Sequence, residues 1–318
     1  MSTHQNSRRA ALITGAAGEL GQRICEHLAG QGKNIIGLYR NKLPKAHKNM
    51  LPLCCDLNEA DSIVAPLKST DTVIHLAWQG GVLGSCGKNS AEISDDMVRA
   101  SENVILTRNL VRAMERANAQ KIVFLSWVGV DRRGDNVMLR EKYWAENIII
   151  NSAIPEKIII RAGVIGTGQN DSDFYKAAAV LAKIPLILPL PRKIEGVVLT
   201  TIKDVLWAVE QALKQNQGKD AGCRVIDLTS TTPSSGASVL EAMDIKAWGR
   251  RRLVIRGIIG NALFCWTEKK FGTAKVNEAK MTDFFAASTI NLRAPAQGLP
   301  PTAIGSSQGH KTDLISAL

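Results

Sequence analysis

Ala10-Ala11-Leu12-Ile13-Thr14-Gly15-Ala16-Ala17-Gly18-Glu19-Leu20-Gly21 joins a short apolar run to a glycine-rich turn and the start of a helical pattern. Its apolar start is too short for a helix and suits a buried parallel strand. Three glycines at three-residue spacing follow, and then Leu20, Ile24 and Leu28 recur at helical intervals. Strand, glycine turn and helix in that order form a context in which a glycine pattern carries meaning. Without Cβ atoms the chain turns sharply and lies close to a bound pyrophosphate. That charge then meets free N–H groups at the helix N-terminus. A tight turn with no ligand is the competing reading of the stretch.

Further apolar runs follow at regular intervals. They are Asn34–Tyr39, Leu51–Cys55, Asp71–Ala77 and Lys121–Ser126, then Ile160–Gly166 and Cys223–Leu228. A helical stripe of Met97, Ala100, Val104, Ile105, Leu110, Val111 and Met114 predicts one long helix between the fourth and fifth strands. Strands alternating with helices predict right-handed βαβ units and an α/β, doubly wound parallel sheet. A ligand then lies along the carboxyl ends of the strands. His75 sits inside an apolar run and reads as a satisfied core histidine.

The second strand ends at Arg40. An acid at this place binds the free 2′-hydroxyl of NAD, whereas an arginine accommodates the 2′-phosphate of NADP. Arg40, with Lys42 and Lys45 nearby, points to NADP, with NAD as the second choice.

Together these residues resemble the extended and atypical short-chain dehydrogenase/reductases, the NAD-dependent epimerase/dehydratase-like branch. The resemblance runs from about residue 10 to residue 228. Thr14 to Gly21 is similar to the family's cofactor loop, Asp56-Leu57 to its adenine-contacting pair, and Val73 to Ala77 to its fourth strand. Asn103 to Leu110 resembles its central helix motif. Ile160 to Gly166 resembles its strand six, and Thr201 to Val205 a late Val-x-Asp-Val segment. The resemblance implies a Rossmann-like sheet with a small C-terminal substrate lobe. It also implies cofactor contacts from Gly15, Ala17, Gly18, Glu19, Leu20, Arg40, Asp56, Leu57, Ala77 and Lys142. The expected divisions are 1–165 for the dinucleotide-binding domain, 166–245 for the lobe and 246–318 for a basic extension.

The catalytic positions depart from the family's pattern. The family places a tyrosine four residues before a lysine, with a serine or threonine nearby. The lysine lowers the tyrosine's pKa, and the tyrosine moves the proton. Lys142-Tyr143-Trp144-Ala145-Glu146 matches the lysine end of that motif, which puts Met138 in the tyrosine position. Met138 has no proton to give. The remaining candidates are Lys142 itself, Tyr143 and Ser126. Neighbours on a helix point about 100° apart, so Tyr143 substitutes only if the helix is offset. Ser126 closes its strand one or two positions before the usual serine.

Composition bounds the rest. With 318 residues, of which 45% are hydrophobic, the chain can bury a large core. The six cysteines lack metal-ligand spacing, no metal site is expected, and the absence of a signal-peptide core or a spanning run predicts a cytoplasmic protein. Of the +11 net charge, much lies between residues 245 and 280, where nine basic residues face two acidic ones. Arg250, Arg251, Arg252 and Arg256 precede an apolar segment reaching Trp266. This reads as an interfacial helix on an anionic membrane surface or as a core helix with a basic edge. No aromatic-interleaved basic motif supports nucleic-acid binding. A homo-oligomer is compatible with the sequence. A helix over Phe174–Ile184 and disorder beyond Ala286 complete the expectations. Two function classes stand: an NADP-dependent reductase, epimerase or dehydratase acting on a small carbonyl compound or nucleotide-sugar, and a non-catalytic NADP(H)-binding structural or sensor protein.

Overall fold

Short apolar runs become parallel strands here because helices cover both sheet faces and leave no polar side to alternate. The computed structural model describes residues 10–79, 93–130, 132, 137–166, 187–189, 199–214, 222–228, 253–255, 258–260, 262–263 and 266. In chain order the strands are β1 (Ala11–Thr14), β2 (Ile35–Tyr39), β3 (Met50–Cys54), β4 (Thr72–His75), β5 (Lys121–Trp127) and β6 (Glu156–Ala162). They continue with β7 (Val164–Gly166), β8 (Ile187–Pro189), β9 (Leu199–Thr201), β10 (Gly222–Leu228) and β11 (Leu253–Ile255). The helices are α1 (Glu19–Gly30), α2 (Ala60–Leu67), α3 (Asp95–Arg99), α4 (Glu102–Arg116), α5 (Val137–Ile150) and α6 (Ile202–Lys214).

Seven strands form one sheet in the order β10-β6-β5-β4-β1-β2-β3. Every pairing in it is parallel. The chain runs outward from β1 to β3 and then returns to β4 on the other side of β1. The reversal opens a crevice at the carboxyl ends of β1 and β4. β3 is an edge strand, where Pro52 takes no hydrogen bond away from a central ladder.

Alternation along each strand divides the core. Leu12, Val73, Ile122 and Phe124 face one side, with Leu110 and Met114 of α4 and Ile149 of α5. Their neighbours Ile13, Ile74 and Val123 face the other side, with Ile24 and Leu28 of α1 and Val205 and Val209 of α6. At the amino end of the sheet, Lys121 Nζ lies 2.9 Å from Glu156 Oε2 and donates to the Ala212 carbonyl at 3.0 Å. Arg224 donates to Glu156 Oε1 at 2.8 Å. This buried network joins β5, β6, β10 and α6 at the end away from the crevice.

Two expectations need correction. The single helix expected between β4 and β5 is two helices, α3 and α4, because Ser101 takes an extended conformation and starts α4 as its N-cap. Ser94 caps α3 in the same way and accepts from the Met97 N–H. The segment expected as a helix up to Trp266 contains β11, which pairs in parallel with β8 from Leu253↔Ile187 to Ile255↔Pro189. Its β-branched Val254 and Ile255 suit that conformation. Among the described residues of this segment, the helical ones are 258–260, 262–263 and 266. Arg250, Arg251, Arg252 and Arg256 lie outside the described residues, as do 174–184 and the stretch beyond 286. No described helix is long and apolar enough to cross a membrane.

Candidate functional site

The turn after β1 is built for close approach. Gly15 has a φ of +71°, and a Cβ there would stand 2.9 Å from the backbone of Ala77. Only glycine takes that conformation without strain while letting β1 and the β4 loop meet. A Cβ on Gly21 would overlap the Gly15 carbonyl. Gly18, by contrast, is exposed and leads into α1 with no side-chain cap. The first N–H groups of α1 are therefore available to an anion.

Thr14 fixes the geometry of this turn. Its Oγ1 accepts from the N–H groups of Leu76 and Ala77, both at 3.1 Å, and donates to His75 Nδ1 at 2.8 Å. On the far side of the ring, His75 Nε2 stands 3.1 Å from Thr107 Oγ1, which itself donates to the Asn103 carbonyl. With both hydroxyl protons committed, the imidazole is neutral and protonated at Nε2. Burial, helped by the Lys142 charge, pushes its pKa down to about 3. His75 is a satisfied core histidine.

A cleft of about 300 Å³ opens over this turn. Of the residues expected at a cofactor, Gly15, Ala17, Gly18, Arg40, Asp56, Leu57 and Ala77 line it together. Glu19 and Leu20 open α1 directly behind it. Thr14, Trp78, Gln79 and Leu106 also line the cleft, and sequence reasoning did not single them out as binding residues. Asn103 anchors its edge: Oδ1 accepts from the Gln79 N–H at 2.7 Å, and Nδ2 donates to the Gln79 carbonyl at 3.2 Å and to Glu141 Oε2 at 3.0 Å. Arg40 reaches from the end of β2 to Glu102 Oε1 at 3.3 Å, and Gln79 Nε2 donates to the same oxygen.

The proposed catalytic side chains sit apart from this group. Lys142 is buried, donates to the Leu125 carbonyl at 2.9 Å, and holds its Nζ 3.6 Å from the centroid of the Trp78 ring. Burial pulls its pKa down to about 7, against the opposing pull of Glu146 and Glu141. Met138, four residues earlier, is 1% exposed. Tyr143 packs edge-on against Trp144, with ring centroids 5.3 Å apart, on a different side of α5 from Lys142. Ser126 is buried, and its Oγ has no hydrogen-bond partner among the described residues. It lies two positions along β5 from Phe124, on the face where Phe124 meets Lys142 at 4.7 Å. Behind these residues, Arg161 clasps the buried Glu146 through two hydrogen bonds of 3.0 and 2.6 Å and fastens α5 to β6. Among the described residues no cluster of three or more His, Cys, Asp or Glu is arranged to hold a metal.

Residues 11–130 match the family model described as the NAD dependent epimerase/dehydratase family. The match covers the first part of the sheet, from β1 through β5, and the likeness to that family is one of this part of the chain. A curated relative is the 3 beta-hydroxysteroid dehydrogenase/Delta 5-->4-isomerase of Mycobacterium tuberculosis. It is 30% identical over 129 residues, which are 40% of this chain and 34% of that protein. An uncharacterized protein of Mycobacterium bovis is 25% identical over 114 residues, 36% of this chain. The matched stretch spans only 12% of that second relative's length. Among solved structures, MoeE5 in complex with UDP-glucuronic acid and NAD is similar with a TM-score of 0.60 and 22% identity, over 78% of this chain and 85% of that one. That likeness is one of fold.

Proposed function

We propose that this chain binds a nicotinamide dinucleotide, NADP(H) in preference to NAD(H), and uses it in the oxidoreduction, epimerisation or dehydration of a carbonyl compound or nucleotide-sugar. The observation that carries the reading is the cradle at Gly15 and Gly18. A Cβ at Gly15 would meet backbone at 2.9 Å, while Gly18 stays exposed at the start of α1. That combination of a closed floor and open N–H groups suits a pyrophosphate. Asp56 and Leu57 line the cleft and are the proposed adenine contacts, and Arg40, also in the lining, is the proposed donor of charge-assisted hydrogen bonds to a 2′-phosphate. The family description and the neighbour solved with UDP-glucuronic acid and NAD support the same chemistry.

When bound, the nicotinamide supplies a hydride acceptor or donor. This chain's part is to bind, orient and handle the proton. A lysine whose pKa lies near neutrality exchanges protons readily at physiological pH. Lys142 and the unpartnered Ser126 hydroxyl are the proposed pair for that task, in place of the tyrosine whose position Met138 takes. The residues proposed to hold the adenosine end suit a dinucleotide in size and charge. At the other end Lys142 is turned to the Leu125 carbonyl and the Trp78 ring, so its engagement requires Trp78 to shift.

The same observation favours a second reading, a binder without turnover. Neither Ser126 nor Lys142 lines the cleft. Titration of the native chain with NADPH and NADH, followed by a screen of carbonyl and nucleotide-sugar substrates, separates the two. Tighter NADPH binding with cofactor oxidation or epimerisation is the expected result. Binding without turnover across the screen leaves the second reading, and equal affinities overturn the NADP preference. Arg40→Ala is expected to remove about 1.5–3 kcal/mol of that preference.

A further inference from the structure

The carboxylate of Glu102 ties together two residues from opposite walls of the cleft. Arg40 follows β2, Gln79 follows β4, and both line the cleft. In the sheet β2 and β4 flank β1, whose glycine turn forms the cleft floor. Glu102 opens α4 and is not itself part of the lining. Its Oε1 accepts from Arg40 Nη1 at 3.3 Å and from Gln79 Nε2. The resulting strap Arg40···Glu102···Gln79 spans the loops on either side of β1. A ligand laid from β2 towards β4 over the glycine turn meets it. Gln79 is held in place from behind, since Asn103 pairs with both its N–H and its carbonyl.

We propose that Glu102 is the residue that sets how strongly this cleft discriminates for a 2′-phosphate on an adenosine ligand. The proposal rests on the reading that the cleft takes a dinucleotide and concerns selection at its adenosine end. Arg40 is the cation at the end of β2, and it is held by a carboxylate. A 2′-phosphate must take the guanidinium from Glu102 and then stand near the displaced negative charge. A free 2′-hydroxyl does neither. Glu102 therefore weakens phosphate-bearing ligands selectively, and neutralising it widens the preference. Both side chains are about half exposed, so the effect is modest and screened by salt.

The test uses adenosine 2′,5′-bisphosphate and adenosine 5′-monophosphate, which probe the adenosine end without the nicotinamide. In calorimetric titrations at low ionic strength, Glu102→Gln is expected to tighten the bisphosphate about two- to fivefold, as befits an exposed charge pair. The monophosphate is expected to change less than about twofold. The gain should shrink at high salt and vanish in an Arg40→Ala background, because it acts through Arg40. A Glu102→Gln variant that leaves the ratio of the two affinities unchanged overturns the proposal. So does an equal gain for both probes, or a gain that persists without Arg40. A native chain that binds neither probe nor NADH overturns the dinucleotide reading itself, and this proposal with it. A thermal melt of each variant checks that α4, whose first turn loses an acid, remains folded.

Discussion

Replacing Thr14 by valine changes almost no volume and removes one hydroxyl that serves three partners. The N–H groups of Leu76 and Ala77 lose their acceptor, and His75 Nδ1 loses its donor. An unsatisfied buried polar group costs about 1–3 kcal/mol. The two N–H groups are only part-buried, so each is taken at the low end, about 1 kcal/mol. The His75 ring is fully enclosed, and its nitrogen is taken at about 2 kcal/mol. Against this total the added methyl gains about 1 kcal/mol of burial. The net expectation is a loss of about 3 kcal/mol, or roughly a 150-fold shift in the folding equilibrium. Urea denaturation measures it as a lower midpoint at unchanged slope. Thr14→Ser is the control, since it keeps the hydroxyl and loses only the methyl, at about 1 kcal/mol. A valine variant within 1 kcal/mol of the native chain, or a serine variant as unstable as the valine one, would refute the hydrogen-bond account.

Five other substitutions test separate parts of the molecule. Gly15→Ala is expected to abolish NADPH binding measured by fluorescence titration, because both its φ of +71° and the 2.9 Å approach to Ala77 forbid a Cβ. Lys142→Met should flatten the pH dependence of stability. The native lysine titrates near 7 when folded and about 10.5 when unfolded, so the unfolded chain holds more protons in that window and native stability rises with pH across it. If denaturation at pH 7 and pH 10 gives the same rise for both proteins, Lys142 is not desolvated as described. Glu156→Ala leaves Lys121 and Arg224 without their carboxylate and should cost about 3–5 kcal/mol by chemical denaturation, with NADPH affinity unchanged, since the network lies at the opposite end of the sheet. Given measurable turnover, Ser126→Ala should lower it by about 10²–10⁴-fold while Tyr143→Phe stays within a few-fold. The reverse order would make Tyr143 the proton donor.

The sheet was legible because its signals are local. Each strand is a short apolar run, and Gly15, Gly18 and Gly21 mark one turn within a few residues. This part of the cleft lining was legible for the same reason, since Gly15, Arg40, Asp56 and Ala77 each follow the end of a strand. The break between α3 and α4 was missed because the apolar stripe runs through it. Ser94 ahead of Asp95 and Asp96, and Ser101 ahead of Glu102, were the available signal. What the sequence hides is contact between distant positions. Glu102 is 62 residues from Arg40, and nothing in either neighbourhood announces the pair. Trp78 reads as one more aromatic until the Lys142 ammonium is found against its ring.

Asn103 has a mechanical consequence. Its single amide grips Gln79 at the rim of the cleft with one hand and Glu141 with the other, and Glu141 precedes Lys142 on α5. Both attachments are short and the asparagine is buried, so there is little slack between them. A displacement of the rim would therefore pull on the helical turn that carries the lysine, and a shorter or non-bonding side chain at position 103 would leave the rim and that turn free to move separately.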